Sequence, residues 1–145
     1  MKTVLVTGGG GAIGSAICRR FARDHKVLVA DKNREAAERV AKEIGGTALV
    51  FDIARYADAK AAVASHHVDI LVNNAGWDRF QNFTETRPEE WDALIDINLR
   101  GPLNMHHLVV PQMLQRGSGR VINISSDAAR VGSSGEAVYS ACKGG

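Results

Sequence analysis

The amino-acid sequence predicts an α/β fold in which helices cover both faces of a doubly wound, parallel sheet. Five short runs rich in Val, Ile and Leu alternate with longer segments whose apolar residues recur at helical spacing. The runs are continuous rather than alternating, which indicates strands buried on both faces, as parallel strands are. Because strand, helix and strand repeat along the chain, residues 1–145 are expected to form a single domain.

The predicted strands cover residues 3–7, 26–31, 47–52, 68–74 and 120–126. Among the intervening segments, Asn33 and Gly45 are placed to begin and end a helix. Thr86 and Glu89 have the spacing of a capping box for a later helix through Trp91. An apolar stripe is predicted on the helix after the first strand, formed by Ile13, Ala16, Ile17 and Phe21.

Polar side chains stand at the carboxyl end of every predicted strand. They are Thr7, Asp31, Asp52, Asn73 with Asn74, and Ser125 with Ser126. In a parallel sheet these ends meet at one edge, where open α/β folds bind ligands. Asp, Asn and Ser are also common turn residues, so an ordinary turn is the alternative for some of them.

A glycine-rich turn, TGGGGAIG, joins the first strand to the first helix at residues 7–14. Glycine allows backbone N–H groups to approach a diphosphate closely, and the following helix directs its positive N-terminus at that charge. Two registers fit dinucleotide-binding templates: Gly9, Gly11 and Gly14 in one, and Thr7, Gly8 and Gly14 in the other. The competing interpretation is a flexible turn without a ligand.

Asp31 ends the second strand 17 residues after Gly14, close to the spacing expected of a carboxylate that binds the adenosine ribose. A carboxylate there repels a 2′-phosphate, so the sequence favours NAD over NADP, although Lys32 and Arg34 partly offset that repulsion. Asp52 ends the third strand, where it is placed either to meet the adenine ring or to cap the next helix.

The composition argues against several other classes of function. With 45% hydrophobic and 23% charged residues, a formal net charge of +2 and no basic run, the chain is expected to have no nucleic-acid partner. No apolar stretch has the length of a signal peptide or a membrane span, so a cytoplasmic protein without a membrane partner is expected. Cys18 and Cys142 are expected to be reduced thiols, and no metal site is predicted.

Five separated motifs together resemble the classical short-chain dehydrogenase/reductase family. They are TGGGGAIG at 7–14, NNAG at 73–76, Asn98, NISS at 123–126 and YSACK at 139–143, in the family's order. The resemblance implies a Rossmann-type sheet with strand order 3-2-1-4-5 and a nicotinamide dinucleotide. The cofactor-binding residues are then expected to be Gly8, Gly11, Ala12, Ile13, Gly14, Asp31, Asp52, Ile53, Asn74, Ala75 and Gly76. Ala12 departs from the family's usual second glycine, and binding is expected to survive this small side chain.

The same resemblance implies four catalytic residues. The family's serine lies thirteen residues before its tyrosine, which selects Ser126 over Ser125. Tyr139 is then the acid/base and Lys143 its partner. Asn98 is implied as the helix-positioned member of the proton relay.

The spacing of Tyr139 and Lys143 has a chemical rationale, because residues four apart share one face of a helix. A free tyrosine with a pKa of about 10 is only about one part in a thousand ionised at pH 7. The Lys143 ammonium and the positive nicotinamide of NAD stabilise the phenolate. Lowering that pKa to about 7 takes roughly 4 kcal/mol, which requires a closed site. Ser126 is expected to hydrogen-bond the substrate oxygen during hydride transfer.

The segments WDRF after NNAG and DAARVGSSGEAVY after Ser126 are expected to border a pocket for a small-molecule substrate. They resemble those of 2-hydroxycyclohexanecarboxyl-CoA dehydrogenase and related hydroxyacyl-CoA enzymes. This implies a secondary alcohol or ketone, and an alicyclic hydroxyacyl-CoA in particular. Trp77 and Phe80 offer apolar surface for a ring, and Arg79 or Arg130 offers a contact for an anionic group. Ordinary loop roles are the alternative for all four.

Members of the family continue well past Gly145. The resemblance therefore implies a tyrosine helix of a single turn, missing C-terminal strands and an open edge on the fifth strand. We expect the chain to keep the adenosine half of the NAD site with little or no turnover alone, and to form a homo-oligomer. Two other functions stay open: a non-catalytic module that binds NAD, and an assembly fragment that pairs through its open edge.

Overall fold

The computed structural model describes residues 1–145 and contains one five-stranded sheet. The strands are β1 (Thr3–Thr7), β2 (Lys26–Asp31), β3 (Thr47–Val50), β4 (Ile70–Asn73) and β5 (Arg120–Asn123). Their order is β3-β2-β1-β4-β5 with all neighbours parallel, which confirms the predicted order and direction. The order reverses between β1 and β4, so the carboxyl ends of these strands flank a crevice.

Helices connect the strands, and none of them is both long enough and apolar enough to cross a membrane. They are α1 (Ala12–Phe21), α2 (Arg34–Ile44), α3 (Tyr56–Val63), α4 (Pro88–Ile95), α5 (Gly101–Arg116), α6 (Ala128–Val131) and α7 (Ala137–Gly144). A 3₁₀ turn at Phe83–Glu85 precedes α4, and a π-helical segment at Asp96–Arg100 joins α4 to α5. The eight residues of α7 make about two turns, in contrast to the single turn that the sequence predicts.

The sheet is buried on both faces, as the continuous apolar runs predict. On β1, Leu5 faces one core with α3 and α5, whereas Val4 and Val6 face the other with α1 and α2, because successive strand residues alternate. The first core includes Leu28, Phe51, Leu71, Met105 and Val109, and the second includes Cys18, Val29, Val40 and Val72. The two edge strands are less buried, since no residue of β5 is buried and Leu49 alone is buried on β3.

Strands β1 and β2 have the predicted bounds, but β3, β4 and β5 are shorter than predicted. Before β4, the Val68 N–H donates to Gln112 Oε1 at 3.0 Å and the Val68 carbonyl accepts from Arg116 at 2.8 Å. Side chains of α5 thus occupy the backbone groups that a strand beginning at Val68 needs. After β3, Asp52 Oδ1 accepts the Ala54 N–H at 2.9 Å and turns the chain out of the sheet.

The predicted ends of α2 are confirmed. Asn33 Oδ1 accepts the Ala36 N–H at 3.0 Å, and Gly45 adopts the left-handed conformation with φ of 66°. The start of α4 differs from the predicted capping box by one residue. The carboxylate of Glu90, not Glu89, accepts the Arg87 N–H at 2.9 Å, and the helix begins one residue later.

The apolar stripe predicted along α1 is wrong in part, because the helix packs on the sheet through smaller residues. Ile13 is 64% exposed and Ala16 is exposed, whereas Ile17 and Phe21 pack on the second core. The buried positions are Gly14, Ser15 and Cys18. Small side chains there allow the first turn of α1 to approach the sheet closely, which leaves Ile13 at the carboxyl edge.

Candidate functional site

The turn between β1 and α1 depends on two glycines in contact. Gly8 has φ of 63°, in the left-handed region that favours glycine. A methyl group on Gly14 would overlap the Gly8 carbonyl oxygen, so no side chain fits there. Gly14 belongs to both predicted registers, so the left-handed φ of Gly8 is what favours the register of Thr7, Gly8 and Gly14 over that of Gly9, Gly11 and Gly14.

The N-terminus of α1 presents unpaired backbone donors at this turn. The first intrahelical hydrogen bond runs from the Ser15 N–H to the Gly11 carbonyl at 2.9 Å. The N–H groups of Ala12, Ile13 and Gly14 therefore have no partner within the helix. Because Ala12 and Ile13 are exposed, the positive end of the helix dipole lies at an open surface that suits an anion.

A cleft of about 400 Å³ lies at the carboxyl edge of the sheet in front of this turn. The residues that line it are Gly8, Gly11, Ala12, Ile13, Ala30, Asp31, Lys32, Phe51, Asp52, Ile53, Asn74, Ala75, Gly76, Trp77 and Ile97. Every predicted cofactor residue is among them except Gly14, which is buried behind the turn. The sequence assigns Trp77 to the substrate pocket instead and gives no signal for Ile97.

Asp31 joins the glycine turn to the start of α2. Its Oδ2 atom accepts the Gly10 N–H at 3.0 Å and its Oδ1 atom accepts the Asn33 N–H at 3.0 Å. Each carboxylate oxygen keeps a further lone pair, so the group can also accept from a ribose hydroxyl. Arg34, whose positive charge was expected to offset the negative charge of Asp31 in part, forms an ion pair with Glu38 at 3.1 Å.

Thr7 and Asn74 tie the carboxyl ends of β1 and β4 together. Thr7 Oγ1 accepts the N–H groups of Asn74 and Ala75, both at 3.1 Å, and donates to the Val72 carbonyl at 3.3 Å. Asn74 Nδ2 donates to the carbonyls of Thr7 at 3.0 Å and Gly8 at 3.3 Å. These bonds hold the two sides of the cleft at a defined separation.

Asn98 lies in the π-helical segment and is only 4% exposed. Its Nδ2 atom donates to the carbonyls of Trp77 at 2.7 Å and Leu94 at 2.9 Å, and its Oδ1 atom accepts the Trp77 N–H at 3.1 Å. Its neighbour Ile97 lines the cleft. The wider π-helical turn thus brings two consecutive residues to the site, which is a common use of such turns.

Tyr139 and Lys143 share one face of α7, with Lys143 Nζ 6.0 Å from the centre of the Tyr139 ring. Lys143 Nζ also donates to the Ile124 carbonyl at 2.6 Å, just beyond β5. Burial lowers the pKa of the Lys143 ammonium. The Lys143 charge is therefore partly removed from water, and a charge in such surroundings interacts more strongly with neighbouring groups than one in water does.

Gly76 connects the cleft to these side chains. It lines the cleft, and a methyl group added to it would lie 3.1 Å from Asn98 Oδ1 and 3.7 Å from Lys143 Nζ. The cleft, Asn98 and Lys143 are thus within contact distance of a single backbone position.

The two serines after β5 have different hydrogen-bond roles. Ser125 Oγ donates to the Lys143 carbonyl at 3.0 Å, so its hydroxyl hydrogen is engaged. Ser126 Oγ accepts the Ala128 N–H at 3.2 Å, which leaves its hydrogen free to donate. Burial raises the pKa of the Cys142 thiol beside Lys143, so this cysteine stays protonated at neutral pH.

Comparison with known proteins finds relatives along almost the whole chain. The family model described as short chain dehydrogenase matches residues 2–145. Oxidoreductase UcpA of Salmonella typhimurium is 38% identical over 98% of this chain and 58% of its own length. Acetoacetyl-CoA reductase of Allochromatium vinosum is 37% identical over 99% of this chain and 64% of its own length.

A solved structure gives the same result in three dimensions. The crystal structure of 3-ketoacyl-(acyl-carrier-protein) reductase from Brucella melitensis complexed with NADH matches with a TM-score of 0.93 at 36% identity, and the match covers 99% of this chain and 64% of that one. This chain therefore spans 58 to 64% of the length of these relatives. With the family model matched from residue 2 to residue 145, the chain belongs to the short-chain dehydrogenase family.

Proposed function

We propose that the chain carries the cofactor site and the catalytic residues of an oxidoreductase that transfers a hydride between NAD and a secondary alcohol or ketone. The single observation that carries the proposal is the position of Gly76, which lines the glycine-turn cleft and lies beside Asn98 and Lys143. A cofactor in the cleft is thereby next to the groups that would move a proton. Family membership supports the same chemistry.

The residues of the cleft fit a nicotinamide dinucleotide. The unpaired N–H groups of Ala12 and Ile13 suit the diphosphate. Gly8 and Gly14, which lie in contact, have no side chains that would obstruct a diphosphate at this turn. Asp31 suits the adenosine ribose and repels a 2′-phosphate, which favours NAD over NADP.

The remaining predicted cofactor residues also line the cleft. Asp52 and Ile53 are proposed for the adenine, and Asn74, Ala75 and Gly76 for the part of the cofactor nearest Asn98 and Lys143, since Gly76 lies beside both. When bound, the dinucleotide supplies the hydride donor or acceptor. The protein supplies the binding surface and its orientation.

Tyr139 is proposed as the acid/base of the reaction. Lys143 lies on the same helix face and is half-buried, with its Nζ atom 6.0 Å from the centre of the Tyr139 ring, so its ammonium is close to the group proposed to exchange the proton. The free hydroxyl hydrogen of Ser126 suits the substrate oxygen. Asn98 is proposed to hold the Trp77 backbone, and with it the rim of the site, in place.

The proposed substrate is a 3-oxoacyl or 3-hydroxyacyl thioester, with an alicyclic acyl group as the narrower form of the proposal. The printed names of two relatives, an acetoacetyl-CoA reductase and a 3-ketoacyl-(acyl-carrier-protein) reductase, support the thioester. Phe80 is 73% exposed and Trp77 is 41% exposed, so both offer apolar surface. Arg79 is paired with Glu90 at 2.6 Å, which leaves Arg130 as the better contact for an anionic group.

Calorimetric titration with NAD and NADP tests the cofactor site. We expect NAD to bind and NADP to bind more weakly, because the Asp31 carboxylate, proposed to bind the adenosine ribose, would repel a phosphate on that ribose. Absence of NAD binding at millimolar concentrations would overturn the proposal.

Hydride transfer is tested by following NADH oxidation with acetoacetyl-CoA. Tyr139→Phe is expected to lower turnover by at least about 100-fold and to leave NAD affinity within about twofold, because it removes only the proton-transfer group. Tyr56→Phe is the matched control, since the Tyr56 hydroxyl bonds His107 away from the cleft. Binding of NAD with no turnover of any thioester would favour the non-catalytic module.

A further inference from the structure

The first residue after β5 is attached to the sheet and to the core beneath it. The Ile124 N–H donates to the Asn73 carbonyl, at the end of β4, at 2.9 Å. The Ile124 side chain packs against the second core. Because both its backbone and its side chain are attached, the Ile124 carbonyl has a defined position at the carboxyl edge of the sheet.

Lys143 is bonded to this segment at two points. Its Nζ atom donates to the Ile124 carbonyl at 2.6 Å, and its own carbonyl accepts the Ser125 hydroxyl at 3.0 Å. The two bonds run in opposite directions between Lys143 and two consecutive residues. Since a lysine side chain is long and flexible, fixing both its backbone and its ammonium restricts the positions that the ammonium can reach.

The partner of the Lys143 ammonium is an uncharged group. None of the ion pairs in the chain includes Lys143, and the Ile124 carbonyl is the one acceptor bonded to its Nζ atom. A carboxylate partner would fix the ammonium and also offset its positive charge, whereas a carbonyl fixes it and leaves that charge in place. The charge therefore remains to act on Tyr139, whose ring centre lies 6.0 Å from Nζ.

The two adjacent serines differ in what their hydroxyl groups can do. Ser125 donates to a backbone carbonyl of α7, whereas Ser126 accepts the Ala128 N–H and keeps its hydrogen for another acceptor. Ser125 is also exposed, so its hydroxyl contributes through this one bond rather than through packing. Substitutions at Ser125 are therefore expected to leave the two cores intact.

We propose that Ser125 is a positioning residue, whose hydroxyl group holds the backbone of Lys143 so that the ammonium stays bonded to Ile124 and beside Tyr139. The predicted catalytic serine is its neighbour Ser126, so this assignment adds a residue to the proposed site. The consequence for catalysis rests on the proposed function. The two hydrogen bonds themselves do not, because they are a property of the folded chain.

A scalar coupling across the hydrogen bond from Lys143 Nζ to the Ile124 carbonyl carbon tests the proposal by NMR. In the unaltered chain we expect this coupling to be observed. Ser125→Ala removes the bond to the Lys143 backbone and is expected to reduce the coupling at least about twofold, because the ammonium then leaves Ile124 for part of the time. No coupling in the unaltered chain, or an undiminished one in Ser125→Ala, would overturn the proposal.

Two further variants show whether the hydroxyl group itself is responsible. Ser125→Thr keeps the hydroxyl, and its added methyl group fits at an exposed position, so the coupling is expected to stay unchanged. Ser118→Ala is the matched control, since it removes the hydroxyl of an exposed serine between α5 and β5, and it is also expected to leave the coupling unchanged. An equal loss in Ser125→Thr and Ser125→Ala would contradict the role of the hydroxyl.

Steady-state kinetics with acetoacetyl-CoA and NADH measure the consequence for catalysis. Ser125→Ala is expected to lower kcat about three- to tenfold and to leave the KM for the thioester within about twofold, because Ser125 acts through Lys143 and not on the substrate. Ser125→Thr is expected to restore kcat. A change confined to KM, or no recovery in Ser125→Thr, would show that Ser125 does not position the proton-transfer groups.

The NMR and kinetic measurements separate this inference from the proposed function. If Tyr139→Phe leaves turnover unchanged, the proposed function fails, and the coupling between Lys143 and Ile124 still reports on the role of Ser125. If Tyr139→Phe abolishes turnover while Ser125→Ala changes neither the coupling nor kcat, the proposed function stands and the role of Ser125 fails.

Discussion

At the scale of single residues, the glycine turn depends on one close approach. Only residues 8–11 separate β1 from α1, so the first turn of the helix lies against the turn that precedes it. Gly14 meets the Gly8 carbonyl oxygen closely enough to leave no room for a methyl group. At Gly11 a methyl group would meet the same oxygen at 3.4 Å, which is an ordinary contact.

Gly14→Ala is therefore expected to lower the free energy of unfolding by about 1 to 3 kcal/mol, because the turn and α1 must move apart. Gly11→Ala is expected to change it by less than about 0.5 kcal/mol. Urea denaturation of the two variants measures the difference. Equal destabilisation would show that the close contact at Gly14 does not limit the turn.

Asp31 has two roles in one side chain, since it accepts two backbone N–H groups and faces the cleft. Asp31→Asn is expected to weaken NAD binding about 10- to 100-fold, because an amide oxygen is a poorer acceptor than a carboxylate. NADP binding is expected to weaken less, since the repulsion of its phosphate also disappears. Calorimetry measures both affinities, with Glu38→Gln outside the cleft as the control.

At the scale of elements, the π-helical segment sets the position from which the Asn98 side chain bonds the backbone of Trp77. The helices α4 and α5 continue each other through Asp96–Arg100, so the site residue lies inside a long helix rather than on a loop. From there the Asn98 side chain pairs both backbone groups of Trp77. The loop after β4 is thereby attached to a rigid element.

Asn98→Ala is expected to lower the free energy of unfolding by about 2 to 4 kcal/mol, because three hydrogen bonds are lost and buried backbone groups are left unpaired. Asn104→Ala is the control with a single bond, from Nδ2 to the Ile53 carbonyl at 2.8 Å, and is expected to cost about 1 kcal/mol. Chemical denaturation compares the two. A smaller effect at Asn98 would contradict the proposed anchoring of Trp77.

At the scale of the whole molecule, the parallel sheet gathers the proposed cofactor-binding residues at one edge. Thr7, Asp31 and Asn74 come from three different strands or strand ends, and the hydrogen bonds of the Thr7 hydroxyl join two of them. A ligand that bridges these strand ends binds only the folded chain. Its binding free energy therefore adds to the stability of the fold.

NAD at about 100 times its dissociation constant is expected to stabilise the chain by about 2.7 kcal/mol. For a chain of 145 residues this corresponds to a rise of about 9 °C in Tm. Differential scanning calorimetry measures the shift, and Asp31→Asn at the same NAD concentration is expected to show a smaller one. An unchanged Tm for the unaltered chain would mean that the cleft does not hold NAD.

Particular residues show how far prediction from the sequence reaches. The ends of β1 and β2 and the caps at Asn33 and Gly45 are predicted correctly, because each depends on its own residue type and immediate neighbours. Strand β4 is shorter than predicted because Gln112 and Arg116, distant in the sequence, take the backbone groups of Val68.

By itself the sequence determined the parallel sheet with two buried faces, and the set of polar residues along its carboxyl edge, because apolar periodicity and turn chemistry act over a few neighbouring residues. The tertiary structure decided the register of the glycine turn, the buried face of α1 and the π-helical position of Asn98. Each of these depends on how closely two separate segments approach, and that distance is set by packing across the whole molecule.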